Sequence, residues 1–547
     1  MKFCRENQRR KRKDSDMDIA PVYLIFIPVV ASIFVYLTND NYSNSVAFLG
    51  QAVISVVAVR YFQLQDGFEN THSIILGGWD PVIGIALRND RLSIAFVFLT
   101  ILLWWSVMIY AWQNRGRDSQ FMFFLMFLEG IYLGMLQTND MFSIFVFIEL
   151  ITIVSAVLIL YKKDGESVRA GLYYLIFNSM GILFYLVGMA MLYNAFGTLN
   201  IELLTDRIAE VDNVYFISTA YIFIMAAVGV KSAFFPVFNW LPKAHSAAPS
   251  SISALLSGLL VKSGLYVFIR MNAMFNYEGL DRFFLFIGFV TAFAGVVFAL
   301  SQKDIKRILA FHTISQVGII MMGLNALDPA KRIGGVMHIF NHAFFKSLLF
   351  MGAGAIIHVY RKRNVSEIRG VLRRMPFVSI LMAVGMLSIT GMPFFNGFVS
   401  KAIIKEGFKE SALVGIGLRI VNIGTMVSFI KLSQIFFGEG ETETASAGTW
   451  QEKAGMLVPA VLCVVLGIFH VPLMSLLFDV DIRYVNPMSV GKWAAYFINA
   501  AIGFLVYTKI IARDFKFVRR IRRFKISFGN SNYLLILYIF LMMIFRG

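Results

Sequence analysis

Long windows of apolar residues recur along almost the whole chain, and short polar segments separate them. A helix needs about 20 apolar residues to cross the hydrocarbon of a bilayer. Sixteen windows approach this length, and they predict an all-α protein that crosses a membrane many times. The window 376–408 can be interpreted as one interrupted helix or as two short helices. The windows are 20–37, 45–62, 92–113, 119–137, 141–161, 168–196, 214–241, 250–272, 283–300, 305–326, 331–358, 376–408, 411–437, 455–478, 488–511 and 530–545.

Composition supports a membrane protein without a cofactor of its own. Of 547 residues, 58% are hydrophobic and 15% are charged, whereas soluble chains carry about 25% charged residues. The two cysteines, Cys4 and Cys463, belong to no Cys-x-x-Cys pair, which excludes an iron–sulfur or structural zinc site made by this chain alone. No glycine-rich phosphate loop follows a predicted strand. We therefore expect no cofactor here, and any redox chemistry would belong to partner subunits.

The formal net charge of +17 reflects membrane topology rather than nucleic-acid binding. Basic residues concentrate in loops that follow odd-numbered windows, and the strongest run is 509–525. Cytoplasmic loops of membrane proteins carry such an excess of Lys and Arg. We therefore expect these loops to face the cytoplasm of a prokaryote, whose inner membrane would hold the chain, and to contact lipid headgroups.

The N-terminal segment contradicts this topology. Residues 2–13 include seven basic residues, which favour the cytoplasm, whereas the loops place the start of the first window outside. The seven are Lys2, Arg5, Arg9, Arg10, Lys11, Arg12 and Lys13. Two explanations stay open: translation begins at Met17, or the parity of the windows is wrong.

Three charged residues lie deep inside apolar windows, namely Glu149, Lys231 and Lys262. Glu149 follows Asp140 by nine residues, which places it roughly 14 Å into its helix, near the bilayer midplane. A charge at the bilayer centre costs about 2.5–3.5 kcal/mol on the insertion scale. We interpret these groups as stations that move charge across a membrane. The alternative is burial of a protonated or hydrogen-bonded side chain with no further role.

Two lysines stand beside predicted helix interruptions. Pro236 follows Lys231 by five residues, and proline removes a backbone donor and clashes with the carbonyl four residues earlier. Lys401 follows Pro393 in the segment GMPFFNGF, 170 residues after Lys231. Interrupted helices free backbone carbonyls and admit water, and paired interruptions are typical of a transport path between inverted repeats.

A row of basic side chains follows one face of a later window. His338, His342 and Lys346 are spaced by four residues and therefore share that face. Histidine titrates near neutral pH, so the row predicts a proton wire, which His312 in the preceding window can join. Simple polar packing between helices is one alternative. A metal site is another, but no third ligand is apparent near the histidine pair, so we expect no metal.

Two further residues are candidates for accessory roles. His245 lies in LPKAHSAAP, which we expect to be a non-helical connection between windows. There it could serve a proton entrance or simply lie in a wet loop. Glu129 in MFFLMFLEGIYLG is another buried acid, which could pair with a lysine.

Several long motifs together resemble one family. The run VKSAFFPVFNWLPKAHSAAPSSISALLSGLLVKSGLYVFIR is similar to the proton-translocating membrane subunits of respiratory complex I, membrane-bound hydrogenases and Mrp-type cation/proton antiporters, with the D-type Mrp subunit most alike. So are GGWDPVIGIALRNDRLS, NDMFSIFVFIELITI, GTLNI, DIKRILAFHTISQVGII, HIFNHAFFKSLLFMGAG and LSITGMPFFNGFVSKAII. The motifs occur in the order typical of the family, from about residue 20 to 437.

The resemblance implies a fold and a relay. It implies 14 core helices, with helices 4–8 and 9–13 as inverted repeats and interruptions in helices 7 and 12. By the same resemblance, Glu149 and Lys231 form an ion pair that switches proton flow along a hydrated central axis. The other implied relay residues are Lys262, His338, His342, Lys346 and Lys401.

The resemblance also divides the chain. We expect a basic N-terminal tail (1–19), N-terminal helices (20–118), an antiporter-like core (119–478) and a C-terminal extension (479–547) with a basic connector and about two extra spans. The tail, the extension and Glu129 are outside the family pattern.

The predicted function is proton translocation by one subunit of a multisubunit respiratory, hydrogenase or Mrp-type complex. Its partners would be other membrane subunits, and exchange of Na⁺ stays open. A stand-alone secondary transporter is one alternative, although no feature suggests a substrate pocket. A non-conducting assembly scaffold is the other, and the retained intramembrane charges argue against it.

Overall fold

The computed structural model describes residues 2–65, 67–68, 70–115, 118–211, 214–439, 448–524 and 526–546, without the side chains of residues 2–18, 113–115 and 214. The expectations for the basic tail, for Met17 and for the last residue of the 509–525 run concern side chains outside this description. Within it, the backbone is almost entirely helical, with one two-stranded sheet.

Among the described residues, the first part of the chain contains eleven α-helices and the sheet. They are α1 (Lys2–Leu37), α2 (Asp40–Leu64), β1 (His72–Ile75), β2 (Ala86–Asn89), α3 (Arg91–Arg115), α4 (Ser119–Gln137), α5 (Met141–Ile159), α6 (Gly165–Phe196), α7 (Ile201–Ala209), α8 (Val214–Lys231), α9 (Trp240–Ala247), α10 (Ser250–Leu255) and α11 (Val261–Phe275). A π-helical turn, Leu256–Leu260, joins α10 to α11.

The second part continues with twelve helices. They are α12 (Asp281–Ser301), α13 (Ile305–Leu324), α14 (Ile333–Tyr360), α15 (Val371–Arg374), α16 (Pro376–Thr390), α17 (Asn396–Glu406), α18 (Ala412–Ser433), α19 (Trp450–Ile468), α20 (His470–Phe478), α21 (Val490–Val506), α22 (Lys516–Arg523) and α23 (Phe528–Phe545).

All sixteen apolar windows correspond to helices. In the described part of the chain, fourteen helical segments are long and apolar enough to cross a membrane, and two windows contain shorter apolar helices, Tyr215–Lys231 and Pro376–Thr390. These two are the windows that proline and glycine were expected to interrupt. The prediction of an all-α polytopic membrane protein with two interrupted helices is therefore confirmed.

Aspartates fix where several spans begin. The side chains of Asp118, Asp140, Asp164 and Asp304 accept hydrogen bonds from backbone N–H groups in the first turns of α4, α5, α6 and α13. Such caps satisfy donors that a helix start leaves unpaired, and their charge favours the positive end of the helix dipole. The short polar linkers therefore supply the stop and start signals between apolar windows.

Two of these caps reveal matching geometry in the two halves of the core. Isolated antiparallel bridges join Asp140 to Asn200 and Asp304 to Asn364. In each case the asparagine follows the aspartate by 60 residues (140 to 200, 304 to 364). Each half therefore anchors the start of one spanning helix to a later loop in the same manner, which supports the predicted repeat. The inverted orientation of the repeats stays a prediction.

The C-terminal extension packs back onto the core. Helix α21 lies beside α18, α22 beside α12, and α23 beside α8. Between α21 and α22, Asp514 forms ion pairs with Lys303 at 3.3 Å and Arg522 at 2.5 Å. The hydrogen bond from Arg522 holds the pKa of the Asp514 carboxyl below its ordinary value. The basic connector is thus fastened to the loop that precedes α13.

Candidate functional site

Lys231 is the last residue of α8 and bonds to two neighbouring helices. Its Nζ donates to Thr152 Oγ1 of α5 at 2.7 Å and to Tyr174 OH of α6 at 3.3 Å. Glu149 lies three residues before Thr152 and accepts from Ser179 Oγ of α6 at 3.0 Å. No ion pair of 4.0 Å or less joins Glu149 to Lys231 among the described residues. One helical turn therefore separates the carboxylate from the group that holds the lysine.

The helix interruption directly follows Lys231, as predicted. Ala233 has a left-handed backbone with φ of 57°, and Pro236 lies in the non-helical stretch before α9. The indole N–H of Trp240 donates to Val230 O at 2.8 Å. Val230 O also accepts from Ala233 N–H at 3.1 Å, so the indole is a second donor to a carbonyl at the interruption.

His245 was expected in a non-helical connection, and that expectation is wrong. The residue lies in α9, is fully buried, and stacks on the Phe350 ring with 4.4 Å between centroids. The segment folds as a helix because Pro242 occupies its first turn, where a missing backbone N–H costs nothing. A wet loop is therefore excluded as the environment of this histidine.

Lys262 and Lys346 are joined by a chain of polar groups. Lys262 lies just after the π-helical turn and donates to Ser257 O. Ser257 Oγ and Thr313 Oγ1 are 2.7 Å apart. Thr313 Oγ1 and Lys346 Nζ bond to one carbonyl, Leu309 O, at 3.2 and 2.5 Å. These polar groups therefore connect α11 through α13 to α14.

His338 forms the next connection. Its Nδ1 lies 2.8 Å from Ser400 Oγ of α17, and its Nε2 lies 3.1 Å from Gln316 Oε1 of α13. Ser400 also accepts from Asn341 Nδ2 at 3.0 Å. Since Ser400 precedes Lys401 in sequence, these bonds bring the histidine row to the second interrupted helix.

Lys401 lies beyond that interruption. Helix α16 ends at Thr390, Gly391 adopts φ of 79°, and Pro393 lies in the gap before α17. Lys401 Nζ donates to Ile389 O at 2.5 Å and to Asn422 Oδ1 of α18 at 2.9 Å. The lysine is thus held by one of the carbonyls at the end of α16 and by an amide.

Two histidines of the predicted row have no direct partner in the described part of the chain. Neither ring nitrogen of His312 or His342 forms a hydrogen bond to the described residues, and both side chains are fully buried. The His342 ring lies 6.4 Å from that of His338, and the His312 ring lies 4.9 Å from that of Phe429. An unpaired buried polar group costs about 1–3 kcal/mol, so these rings are not accounted for by polar packing between helices.

Glu129 is separate from the other groups. It lies in α4, where its Oε1 accepts from Gln51 Nε2 of α2 at 2.8 Å. Oε2 has no hydrogen-bond partner among the described residues. The expected pairing of Glu129 with a lysine is not observed among the described residues, where Gln51 is its hydrogen-bond partner.

Sequence reasoning missed two buried lysines. Lys306 stands at the start of window 305–326 and was assigned to no site, yet it is 3% exposed and donates to Ala248 O at 2.8 Å. Lys431 donates to three carbonyls at the end of α12, at 2.7–3.1 Å. Free carbonyls at helix ends attract cations. The position of Lys431 late in an apolar window was the available signal; Lys306 gave none.

Comparison with known proteins gives a consistent match. The family model described as "NADH:quinone oxidoreductase/Mrp antiporter, TM" matches residues 138–426. The D-type subunit of the Na⁺/H⁺ antiporter from Alkalihalophilus pseudofirmus is 28% identical over 478 residues, covering 85% of this chain and 96% of that protein. The protein of the same name from Bacillus subtilis is 27% identical over 481 residues, covering 85% and 94%.

Two solved structures share the fold. A chain of the membrane-bound sulfane sulfur reductase, an archaeal respiratory membrane complex, gives a TM-score of 0.78 at 23% identity and covers 90% of this chain and 99% of that one. A chain of the Mrp complex from Dietzia sp. DQ12-45-1b gives 0.75 at 21% identity and covers 92% and 99%.

Proposed function

Because the chain belongs to the NADH:quinone oxidoreductase/Mrp antiporter transmembrane family, we propose that it translocates protons across a membrane as one subunit of a multisubunit complex. The single observation that carries this proposal is the arrangement of Lys231 and Lys401. Each lies beside a helix interruption, and polar groups on α11, α13 and α14 occupy the region between them. Such interruptions at membrane depth are a typical setting for ion sites in transporters.

The relay begins with the first half of the core. Protonated Lys231 is favoured when the Glu149 carboxylate is close and disfavoured when it moves away, because an isolated charge is costly at low dielectric. A proton released there passes to Lys262 and then, through Ser257 and Thr313, toward Lys346. Water around the unpaired rings of His312 and His342 would complete the path to His338 and Lys401. His245 and Glu129 are proposed as accessory groups.

The counter-ion is proposed from the relatives. Both curated relatives are named as D-type subunits of Na⁺/H⁺ antiporters, so Na⁺ is the ion we propose to exchange for protons. Other membrane subunits are the proposed partners, since the structural neighbours are chains of multisubunit membrane complexes. A complex driven by electron transfer is the second arrangement, which the sulfane sulfur reductase chain favours.

Proteoliposomes that contain the intact complex test this function. A pH-sensitive dye inside the vesicles should report proton movement when Na⁺ is added outside, and the Lys231→Met complex should not respond. Proton movement driven by electron transfer, without a response to Na⁺, would select the second arrangement. Full activity of the purified single chain would select a stand-alone transporter. Equal proton movement by wild type and Lys231→Met would indicate that the chain is a non-conducting scaffold.

We propose the cytoplasmic membrane of a prokaryote as the location, with connector 509–525 on the cytoplasmic side and in contact with lipid headgroups. Lys516, Arg519, Arg520 and Arg523 line one shallow basic surface there. A cysteine introduced at Lys516 in intact cells should react with a membrane-permeant maleimide only. Reaction with an impermeant maleimide would place the connector on the outer side of the membrane instead.

A further inference from the structure

A cationic cavity lies beside Lys401, between the core and the C-terminal extension. It has a volume of about 300 Å³, and α17, α18 and α21 form its walls. Of the residues that the structure describes, four with cationic side chains line it and none with a carboxylate does. The four are Lys401, Lys405, Arg419 and Lys492. Like charges collected in one cavity repel each other, so an anion bound there would be strongly favoured.

Two of the four cations form no bond to the described part of the chain. Lys401 bonds to Ile389 O and Asn422, and Arg419 Nε lies 3.4 Å from Asn499 Oδ1 of α21. The side chains of Lys405 and Lys492 have neither a hydrogen bond nor an ion pair with any residue that the structure describes. Both are exposed at the same end of the bundle, where α17 ends and α21 begins. Their charges are therefore available to a ligand.

Apart from the cations and the polar side chains of Asn422, Tyr496 and Asn499, the walls are apolar. Ile319, Phe398, Ile404, Leu418 and Met426 line the inner part, and Ala495 lies on the α21 side. Tyr496 fixes α21 in place, because its OH lies 3.0 Å from Thr390 Oγ1 at the end of α16. A cavity with several cations, apolar walls and an opening between spanning helices suits an amphiphile with an anionic head.

We propose that this cavity binds the phosphate headgroup of an anionic lipid and holds it next to Lys401. The extension is essential to the site, since α21 contributes Lys492, Ala495, Tyr496 and Asn499 to its wall. Resting on the proposed function, a bound phosphate would stabilise the charged form of Lys401 and make transport depend on anionic lipid. The binding itself can be measured without transport, so the two proposals can fail separately.

Native mass spectrometry of the intact complex tests the binding. Complex released from nanodiscs of phosphatidylglycerol should retain a lipid adduct. The Arg419→Gln/Lys492→Gln variant should bind the lipid about thirtyfold more weakly, because the two removed cations each contribute a similar share of the binding free energy. Ala495→Phe, which fills the cavity but keeps all charges, should also lose the adduct. Lys409→Gln is the matched control, because Lys409 is an exposed lysine paired with Glu406 outside the cavity.

Other outcomes would overturn the proposal. Equal amounts of lipid adduct on wild type and the double variant would show that the cavity does not bind the headgroup. Retention by Ala495→Phe would show attraction to surface charge rather than occupation of the cavity. Equal binding of inorganic phosphate and phosphatidylglycerol would assign a free anion instead of a lipid. A photoactivatable phosphatidylglycerol, applied to the wild-type complex, should label peptides of α17, α18 and α21; labelling confined to other helices would contradict the site without any variant.

Discussion

The two halves of the core hold their lysines in different ways. In the first half, Lys231 ends the helix before the interruption and bonds to Thr152, one turn from the Glu149 carboxylate. In the second half, Lys401 lies after the interruption and bonds to a carbonyl and to Asn422. No carboxylate bonds to Lys401 among the described residues.

The difference between the two halves can be traced to one position on helices α5 and α13. Counting nine residues from the capping aspartate reaches Glu149 in α5 and Thr313 in α13. The starts of these two helices match, but the acid at this position is present in α5 only. Under the proposed function, the first half can switch its lysine by moving its own carboxylate. In the second half, the charge that switches Lys401 must come from a group outside the repeat.

Lys231→Met should have the largest effect on this comparison. Proton transfer by a positioned side chain contributes about a hundredfold or more to rate, so proton flux should fall by at least that factor. Assembly should survive, because methionine has a similar length to lysine and Glu149 keeps its hydrogen bond from Ser179. Dye-reported flux and size-exclusion chromatography of the complex measure both. Lys409→Met, at an exposed site, is the control, and wild-type flux from Lys231→Met would contradict the relay.

Glu149→Gln and Thr313→Val test whether the acid is what distinguishes the halves. Glu149→Gln removes the charge but keeps an acceptor for Ser179, and its flux should fall nearly as far as that of Lys231→Met. Thr313→Val removes one neutral hydroxyl from the Ser257 link, so about a tenfold loss is expected. Proteoliposome flux ranks the two. A greater loss of flux in Thr313→Val than in Glu149→Gln would show that the acid is not what distinguishes the two halves.

Much of the fold could be predicted because membrane spans are set by apolar length. The windows matched helices, and Pro236 and Pro393 marked the interruptions, since a proline removes a backbone donor wherever the chain folds. The same rule failed at Pro242, because proline at a first turn starts a helix as readily as it breaks one. His245 was misplaced for that reason.

The charged relay residues could be predicted, but most of their partners could not. Glu149 and Lys231 stand out because a charge in an apolar window is rare. Tyr174, Gln316 and Asn422 are ordinary polar residues whose role depends on how each helix is rotated. Helices that are apolar on every side carry little periodic signal of that rotation. Thr152 shares a helix face with Glu149, three residues earlier, but nothing in the sequence marked it as the partner of Lys231.

Thr152→Val and Asn422→Leu should sharpen the comparison with a smaller effect. Each removes the side-chain acceptor that forms the shorter side-chain bond to one lysine, and a hydrogen bond to a charged group contributes about 1.5–3 kcal/mol. Flux should fall about tenfold or more in Thr152→Val. Asn422→Leu should lose less, because Lys401 keeps its 2.5 Å bond to Ile389 O, whereas Lys231 keeps only the longer 3.3 Å bond to Tyr174 OH. The flux of both complexes at one imposed pH gradient measures the difference. An equal loss would show that the two lysines depend on their partners alike.

Glycines beside the two lysines should give the smallest effect, on stability rather than flux. A Cβ at Gly397 would lie 1.9 Å from Ser388 O, whereas one at Gly264 would lie 2.4 Å from Ser232 Oγ. A side-chain hydroxyl can rotate away, but a backbone carbonyl can move only with its helix. Gly397→Ala should therefore destabilise the protein more than Gly264→Ala, whose cost is about 1–3 kcal/mol, as for other overpacked cores. Thermal unfolding in detergent measures the order, with Gly529→Ala, at an open position, as the control. The reverse order would mean that the first interruption, next to Lys231, is the more rigid of the two.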